Sequence, residues 1–332
     1  MIRKMAEMTW YELDELARDE TLIFLPISPL EQHGPHLPVG LDLYGTEYLA
    51  RRTAELFVFE HPNWTVLLPP PMPLGSNAFD FPGGMFTRQR VLRDLLVDYC
   101  GALARHGFKN IVFMSVHGGT GHIVAMEEAS EMINKKYDAR TVSPTGALAM
   151  KFFSGAYEAD LDRMLSKPLT KEEKDLLRND WHAGRWETSL MLVIAADMVR
   201  SNYRQLEPVV ESDFRKVNDD LVRTIGGGAG YLGDPARATK EFGEAMVKLL
   251  VRDAVTIIEK IVVQGHAVGA EERSPLYDIP FMRTDFVRNS VAVGAGVLLT
   301  LLGGIPLVDA VMKGSLQIPG LDLGEKTKKD DE

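Results

Sequence analysis

The sequence predicts an α/β protein with a mostly parallel sheet and helices on both of its faces. Apolar runs of strand length, at 21–27, 64–68 and 109–115, alternate with amphipathic runs of helix length. Such alternation is typical of βαβ units, which build parallel sheets that helices cover on both sides. The composition agrees, because 45% of the 332 residues are hydrophobic and 25% are charged, the usual balance of a globular protein with an ample core.

The first elements follow from capping and periodicity. Thr9 and Glu12 match a capping box, which predicts a helix over 10–19. The apolar run at 21–27 predicts a buried strand, and apolar periodicity predicts a helix over 46–57.

The next segment of the chain contains a loop rich in glycine and proline. After the predicted strand at 64–68, residues 75–84 form a loop rich in Gly, Pro and aromatic side chains, and such loops line or cover binding sites. Thr87 is expected to cap a helix that runs to His106, and the strand at 109–115 follows. The remaining predicted elements are a helix at 123–136, a strand at 139–142, polar helical segments over 152–179, a helix ending near 196 and a long amphipathic helix over 236–263.

The charge balance and the cysteine content exclude several classes of protein. A formal net charge of −10 leaves no basic stripe for phosphates, so we expect no nucleic-acid partner. The single cysteine, Cys100, rules out a disulfide within the chain. Residues 1–4 lead into no apolar run of the kind found in signal peptides, so we expect a cytoplasmic location.

One apolar segment, 291–308, bears on location. It runs for eighteen residues without a charge, which is near the lower limit for a membrane span. We favour packing of this segment against the domain or a neighbouring subunit, and a membrane anchor is the alternative. The charged tail at 320–332 is expected to be frayed.

Three potential metal ligands follow the first long strand. Glu31 and His33 lie two residues apart, so in an extended segment both side chains point to the same side. Asp42 comes where the loop gives way to the next helix. Taken singly, these residues would be a loop charge, a core histidine and a helix cap. Together, two carboxylates and an imidazole suit divalent zinc, manganese or iron.

Two further loops add candidates. His117 and two glycines directly follow the strand at 109–115, and His182 and Glu187 lie in a loop that leads into a helix. Sites in parallel sheets form at the carboxyl ends of the strands. We therefore expect the His117 loop to share one site with Glu31.

Three motifs carry a resemblance to a known family. The sequences EQHGPHLP at 31–38, HGG at 117–119 and HAGRWETS at 182–189, together with Asp42, resemble the creatininase (creatinine amidohydrolase) family. FPG at 81–83 and GDPARAT at 233–239 are weaker matches. The resemblance covers roughly residues 9–263, in the right order.

The resemblance implies a three-layer αβα sandwich, two divalent metal ions per chain and a homo-oligomer, commonly a hexamer. It implies that residues 1–265 form the catalytic domain and that 266–332 are a C-terminal extension. Zinc is the first choice, with manganese or iron as alternatives. By position, Glu31 and His117 would bind one ion, His33 and Glu187 the other, and Asp42 would bridge them. Creatininase itself uses a glutamate where this chain has Gly119, so the last role passes to Glu187, as in the HGG branch of the family.

His182 is the candidate for proton transfer, with an orienting role as the alternative. Five more residues are candidates for supporting the ligands or lining the pocket. Trp181 and Trp186 would form an apolar wall, although Trp also serves packing. His122 stays without a role. Family members usually read Asn-Gly-His-Gly-Gly-Asn over 115–120, so the altered positions indicate a changed substrate. The supporting candidates are His36, Ser115, Thr120, Trp181 and Trp186.

These features predict a metal-dependent amidohydrolase. We expect it to cleave the C–N bond of a small, cyclic amide, with a hydroxide between the two metal ions as the nucleophile. One alternative is hydrolysis of a cyclic ketone or lactone of carbohydrate origin. Another is a non-catalytic metal-binding assembly protein, whose metal site would be closed by protein ligands.

Overall fold

A parallel sheet forms the centre of the molecule. The computed structural model describes residues 1–285, and the apolar segment 291–308 and the charged tail lie outside them. The strands are β1 (Ile2–Lys4), β2 (Thr21–Ser28), β3 (Thr65–Leu68), β4 (Met72–Pro73), β5 (Asn110–Met114) and β6 (Arg140–Val142). Their order is β1-β3-β2-β5-β6, β4 pairs with the end of β2, and every pairing between these strands is parallel.

The central strand β2 explains why both faces of the sheet are covered. All eight of its residues are buried, and successive side chains point to opposite faces. Leu22 and Phe24 enter one hydrophobic core, whereas Ile23, Leu25 and Ile27 enter the other. A strand that is apolar on both faces requires a helical layer on each side.

In the part of the chain that the structure describes, ten α-helices accompany the sheet. Helices α3 and α4 supply the core on one face, and α2, α5, α8 and α10 supply most of the core on the other. This arrangement of three layers confirms the predicted α/β fold. The helices are α1 (Trp10–Asp14), α2 (Leu41–Glu60), α3 (Gln89–Arg105), α4 (Thr120–Tyr137), α5 (Thr145–Phe153), α6 (Glu158–Met164), α7 (Lys171–Leu177), α8 (Arg185–Ile194), α9 (Asp219–Thr224) and α10 (Lys240–Ile258).

The capping predictions had mixed outcomes. The capping box of Thr9 and Glu12 is present and opens α1. The prediction that Thr87 caps α3 was wrong, because Arg88 occupies the N-cap position and the Thr87 hydroxyl donates instead to the Arg88 carbonyl. Helix α1 ends earlier than predicted, since the Arg18 guanidinium binds the carbonyls of Leu13 and Leu16 where the chain turns toward β2.

Residues 1–283 form one compact unit. The chain beyond α10 packs on the rest of this unit through Ser274, whose amide donates to the Glu127 carboxylate at 2.6 Å, and through the Val262 carbonyl, which accepts a hydrogen bond from Arg140 at 2.9 Å. The division into residues 1–265 and 266–332 stays a prediction. Within residues 1–285, no helix has the length and hydropathy needed to cross a bilayer.

Candidate metal centre

Five ionisable side chains converge at the carboxyl ends of β2 and β5. The loop after β2 brings two of them, the first turn of α2 brings the third, the loop after β5 brings the fourth, and the first turn of α8 brings the fifth. Parallel strands place such loops at the same edge of the sheet. The side chains are Glu31, His33, Asp42, His117 and Glu187, which form two groups of potential metal ligands.

Asp42 lies between the two groups. On one side, His117 Nδ1 is 3.2 Å from Asp42 Oδ2 and 3.0 Å from Glu31 Oε2. On the other side, His33 Nε2 is 3.4 Å from Asp42 Oδ1 and 3.6 Å from Glu187 Oε2. Each oxygen of the Asp42 carboxylate therefore serves a different group, which is the geometry that a bridging ligand needs.

Backbone carbonyls orient both imidazoles. His33 Nδ1 is 3.0 Å from the carbonyl oxygen of Glu31, and His117 Nε2 is 3.2 Å from the carbonyl oxygen of Ser76. An N–H that donates to each carbonyl leaves a lone pair on His33 Nε2 and on His117 Nδ1. Histidines that bind metals are held in the same way, by a hydrogen bond from the nitrogen that does not bind.

Within residues 1–285, several buried side-chain atoms of the cluster have no hydrogen-bond partner. They are Glu31 Oε2, His33 Nε2 and both oxygens of Asp42. Leaving a buried polar atom unpaired costs about 1–3 kcal/mol, and more for a charged group. Four such atoms in one cluster of carboxylate and imidazole donors fit divalent cations, which would satisfy all of them.

The close packing of carboxylates and imidazoles shifts the pKa values of the cluster. Burial disfavours a charged His33, but the carboxylates of Asp42 and Glu187 outweigh burial and raise the pKa of His33 to about 10. The pKa of His117 is likewise raised well above its ordinary value, because Glu31 and Asp42 outweigh burial. Burial raises the pKa of Glu187 to about 7.

His182 lies beside the cluster. Its ring centroid is 4.4 Å from that of His33, and its Nε2 is 2.7 Å from the carbonyl oxygen of Gln32. Burial, together with the charge of His33, lowers the pKa of His182 to about 4, so the imidazole is neutral near pH 7. The structure also groups His182 with Glu31 and His33 as potential ligands.

Three of the supporting candidates make hydrogen bonds around the cluster. His36 Nε2 is 2.8 Å from the Thr188 hydroxyl, next to Glu187 on α8. The Thr120 hydroxyl donates to Asn77 at 2.9 Å. Ser115 joins a buried network in which its hydroxyl lies 2.7 Å from that of Ser28 and 3.0 Å from His122 Nε2 and accepts the amide N–H of His117.

The two tryptophans pack against other parts of the chain. Trp181 donates its indole N–H to the Glu211 carbonyl at 2.7 Å, and its ring centroid is 4.4 Å from that of Phe153. Trp186 packs against the hydrophobic core that α2 and α10 share. These contacts correspond to the packing role that the sequence left open.

Sequence reasoning missed the residues that hold the ligands in place. Asn77 and Phe79 lie in the loop that was predicted to line a site, but nothing singled them out. The Phe79 amide N–H donates to Glu31 Oε1. The backbone of Asn77 is in the left-handed region, with a φ of 59°. Asp180 accepts the amide N–H groups of Arg185 and Trp186. An Asp shortly before a helix was the available signal for that residue.

A cavity of about 660 Å³ lies at the opposite, amino end of the strands. Its lining includes Asn110 and Arg140, the first residues of β5 and β6, together with Glu127 and Tyr277. None of the five clustered side chains lines it. The volume of this cavity therefore gives no information about the substrate.

Comparison with known proteins identifies relatives along most of the chain. The family model Creatininase, described as creatinine amidohydrolase, matches residues 6–258. The chain is 26% identical over 246 residues to the mycofactocin precursor peptide peptidase of Mycolicibacterium smegmatis, covering 72% of this chain and 85% of that protein. It is 23% identical over 279 residues to the creatinine amidohydrolase of Pseudomonas putida, covering 82% and 97%. The resemblance inferred from the motifs is confirmed.

Solved creatininase structures share the fold. A structure described as "Creatininase Mn" superposes with a TM-score of 0.58 at 22% identity, covering 77% of this chain and 97% of that one. A mutant creatininase of "Zn-Zn type" gives a TM-score of 0.59 at 22% identity, with 77% and 96% covered. Identities at this level show the fold alone, and it is the fold that the sequence predicted.

Proposed function

Because the chain belongs to the creatininase family and is a metal-dependent hydrolase, we propose that it cleaves the C–N bond of a small, cyclic amide with the help of two divalent metal ions. Glu31 and His117 would hold one ion, and His33 and Glu187 would hold the other. Asp42 would bind both ions. The observation that carries the proposal is the Asp42 carboxylate, which is buried between two imidazoles and accepts no hydrogen bond from any residue that the structure describes.

The donor set fits such ions in charge as well as in geometry. Three carboxylates against two divalent cations leave about one positive charge in the site, which favours a developing oxyanion. Bound divalent ions would lower the pKa of a coordinated water and polarise the substrate carbonyl. Zinc is our first choice, and the structural relatives described above as Mn and Zn-Zn types support zinc or manganese.

The chain's own groups supply orientation and proton transfer. The amide N–H of Phe79 holds Glu31, and the amide N–H of Ala183 holds Glu187 Oε2 at 2.5 Å. His182 is neutral and lies against His33, so it can accept a proton and pass it to the leaving nitrogen. The burial of the cluster excludes bulk water, which strengthens each of these interactions.

The burial of the ligands supports a small substrate. Glu31, His33 and Asp42 are at most 1% exposed, and His117 is 5% exposed. A compact amide can reach such a site more easily than an internal bond of a folded polypeptide. The relative from Pseudomonas putida, named creatinine amidohydrolase, acts on a compound of this kind according to its name.

A peptide is the second candidate substrate. Relatives from Mycolicibacterium smegmatis and from two Mycobacterium species are named mycofactocin precursor peptide peptidases. Peptide and cyclic amide share the same bond, so the proposed chemistry covers both. Cleavage of a peptide additionally requires that an end of the peptide chain can reach the buried ligands.

Metal analysis tests the proposed centre. We expect two divalent ions per wild-type chain, and the loss of at least one in Asp42→Asn, which keeps the shape of the side chain but not its charge. Glu127→Gln is the control, because Glu127 is a buried carboxyl outside the cluster. A wild type that retains no ions after purification in zinc or manganese refutes the proposal.

A substrate screen tests the reaction. The panel holds cyclic ureides and lactams, short peptides with free ends, and keto-inositols and lactones. Turnover of the cyclic amides that is lost in Asp42→Asn supports the proposal. Turnover of peptides alone favours the second candidate, and turnover of lactones alone contradicts amide hydrolysis.

We also propose a homo-oligomer, with a hexamer expected from the family, and a cytoplasmic location. Light scattering of the purified chain tests the first, and fractionation of cells tests the second. A monomer at micromolar concentration would contradict the expected assembly.

A further inference from the structure

A short loop holds both ligands of the ion position around His117. We call residues 76–79 the clamp loop. At its start, the Ser76 carbonyl accepts a hydrogen bond from His117 Nε2 at 3.2 Å. At its end, the Phe79 amide N–H donates to Glu31 Oε1. The orientation of both side chains therefore depends on the position of one four-residue segment.

Asn77 fixes the clamp loop to the start of α4. Its φ of 59° lies in the left-handed region, which Asn tolerates better than most residues. Its Oδ1 accepts the amide N–H of Gly121 at 2.7 Å and the hydroxyl of Thr120 at 2.9 Å. Because α4 follows directly on the His117 loop, this side chain ties the clamp loop to the segment that carries His117.

A different residue fixes the ion position around His33. Glu187 lies in the first turn of α8, and the two carboxylate oxygens of Asp180 accept the amide N–H groups of Arg185 and Trp186 at 2.8 and 2.7 Å. A Cβ on either Gly184 or Gly233 would collide with Asp180 Oδ1. The Asp180 carboxylate is thus enclosed by backbone and sets where α8 begins.

We propose that Asn77 and Asp180 are positioning residues for different halves of the metal centre, so that each ion position has its own support outside the ligands, with Asp42 as the proposed bridging ligand. This inference rests on the proposed function, since it assumes two ions. The hydrogen bonds of Asn77 lead to Glu31 and His117, whereas those of Asp180 lead to the helix that carries Glu187. Groups that orient metal ligands affect affinity by about 10–100-fold.

The test measures zinc affinity by competition with a chelator in single and double variants. Asn77→Gly keeps the left-handed backbone and removes the acceptor, and Asp180→Asn keeps the shape but replaces one acceptor oxygen. His33→Ala is designed to leave only the ion position near His117, and His117→Ala is designed to leave only the position near His33. In the His33→Ala background, we expect Asn77→Gly to lower the zinc affinity by about tenfold or more. In the His117→Ala background, the same change should lower it by less than about threefold. Asp180→Asn should show the reverse pattern.

Asn77→Asp separates positioning from folding, because it keeps an acceptor oxygen and the tolerance of a left-handed backbone. It is expected to restore the affinity lost in Asn77→Gly. Equal losses at both positions for either variant, or no loss at either, would overturn the inference. A wild type with fewer than two ions would refute the proposed function itself, which is a distinguishable result.

Discussion

His33 and His117 turn different ring nitrogens toward the two oxygens of Asp42. Nε2 of His33 lies 3.4 Å from Oδ1, and Nδ1 of His117 lies 3.2 Å from Oδ2. The other nitrogen of each ring bonds a backbone carbonyl, of Glu31 for His33 and of Ser76 for His117. The two imidazoles are thus held by backbone carbonyls, and each directs its other nitrogen toward the Asp42 carboxylate.

Ion binding is expected to release protons and to strengthen as the pH rises. Because the carboxylates outweigh burial, the pKa of His33 is raised to about 10 and that of His117 is also raised, so both carry protons at pH 7 in the metal-free protein. Zinc must displace these protons. Calorimetry in two buffers of different ionisation enthalpy should report at least about two protons released per chain at pH 7, from the two histidines and in part from Glu187, whose pKa is raised to about 7. Zinc affinity that is equal at pH 6 and pH 8 would contradict this expectation.

Two neighbouring glycines in the His117 loop should respond differently to alanine. A Cβ on Gly119 would collide with His117 Nε2 and with the Asn77 carbonyl, whereas a Cβ on Gly118 would meet no non-neighbouring atom of residues 1–285 within 4 Å. Gly119→Ala must therefore displace the ring from its carbonyl partner, and we expect zinc affinity to fall by about tenfold or more. Gly118→Ala is the matched control and should bind zinc as the wild type does. Equal affinities in the two variants would show that the loop adapts without cost.

The fold followed from local patterns in the sequence. The run 21–27 is apolar at every position that meets a core, and the structure buries the whole of β2 between two helical layers. Helix boundaries were less predictable. Residues 181–196 showed where α8 would lie, but the start at Arg185 depends on a side chain, Asp180, that reaches past Gly184. A contact of this kind leaves no periodic pattern in the sequence.

The clustered residues were predictable because each lies in a short motif at the end of a strand or the start of a helix. The residues that hold these side chains in place were not predictable. The clamp loop contacts Glu31, which comes earlier in the chain, and His117, which comes later, each more than forty residues from the loop residue that it contacts. Two of these contacts use backbone atoms of the loop, which any residue could supply. Trp181 and Trp186, which were considered for the pocket because they lie close to a motif, make packing contacts in the structure, and their place in the pocket stays a prediction.

His182→Gln should separate proton transfer from metal binding. Glutamine keeps a polar group near the Gln32 carbonyl, which lies 2.7 Å from His182 Nε2 in the wild type. If His182 transfers protons, kcat on the amide found in the screen falls by about 10²–10⁴-fold while two ions remain bound. Loss of an ion would instead make His182 a ligand, and unchanged kcat would exclude its role in proton transfer. His61→Gln serves as the control, because His61 pairs with Glu259 away from the cluster.

Glu127 should make the free energy of unfolding fall as the pH rises. Burial raises the pKa of Glu127 to about 8, against an ordinary value of 4.5 in the unfolded chain. Between these values the folded protein holds a proton that the unfolded chain has lost, so stability declines with pH by up to about 1.4 kcal/mol per unit. Glu127→Gln stays neutral and should remove this part of the slope in urea unfolding at pH 5, 6.5 and 8, measured with a chelator present. Glu131→Gln, one turn further along α4 and paired with Lys135, should keep the wild-type slope. Parallel slopes in the wild type and Glu127→Gln would mean that the Glu127 carboxyl ionises without cost, through water that enters beside α4.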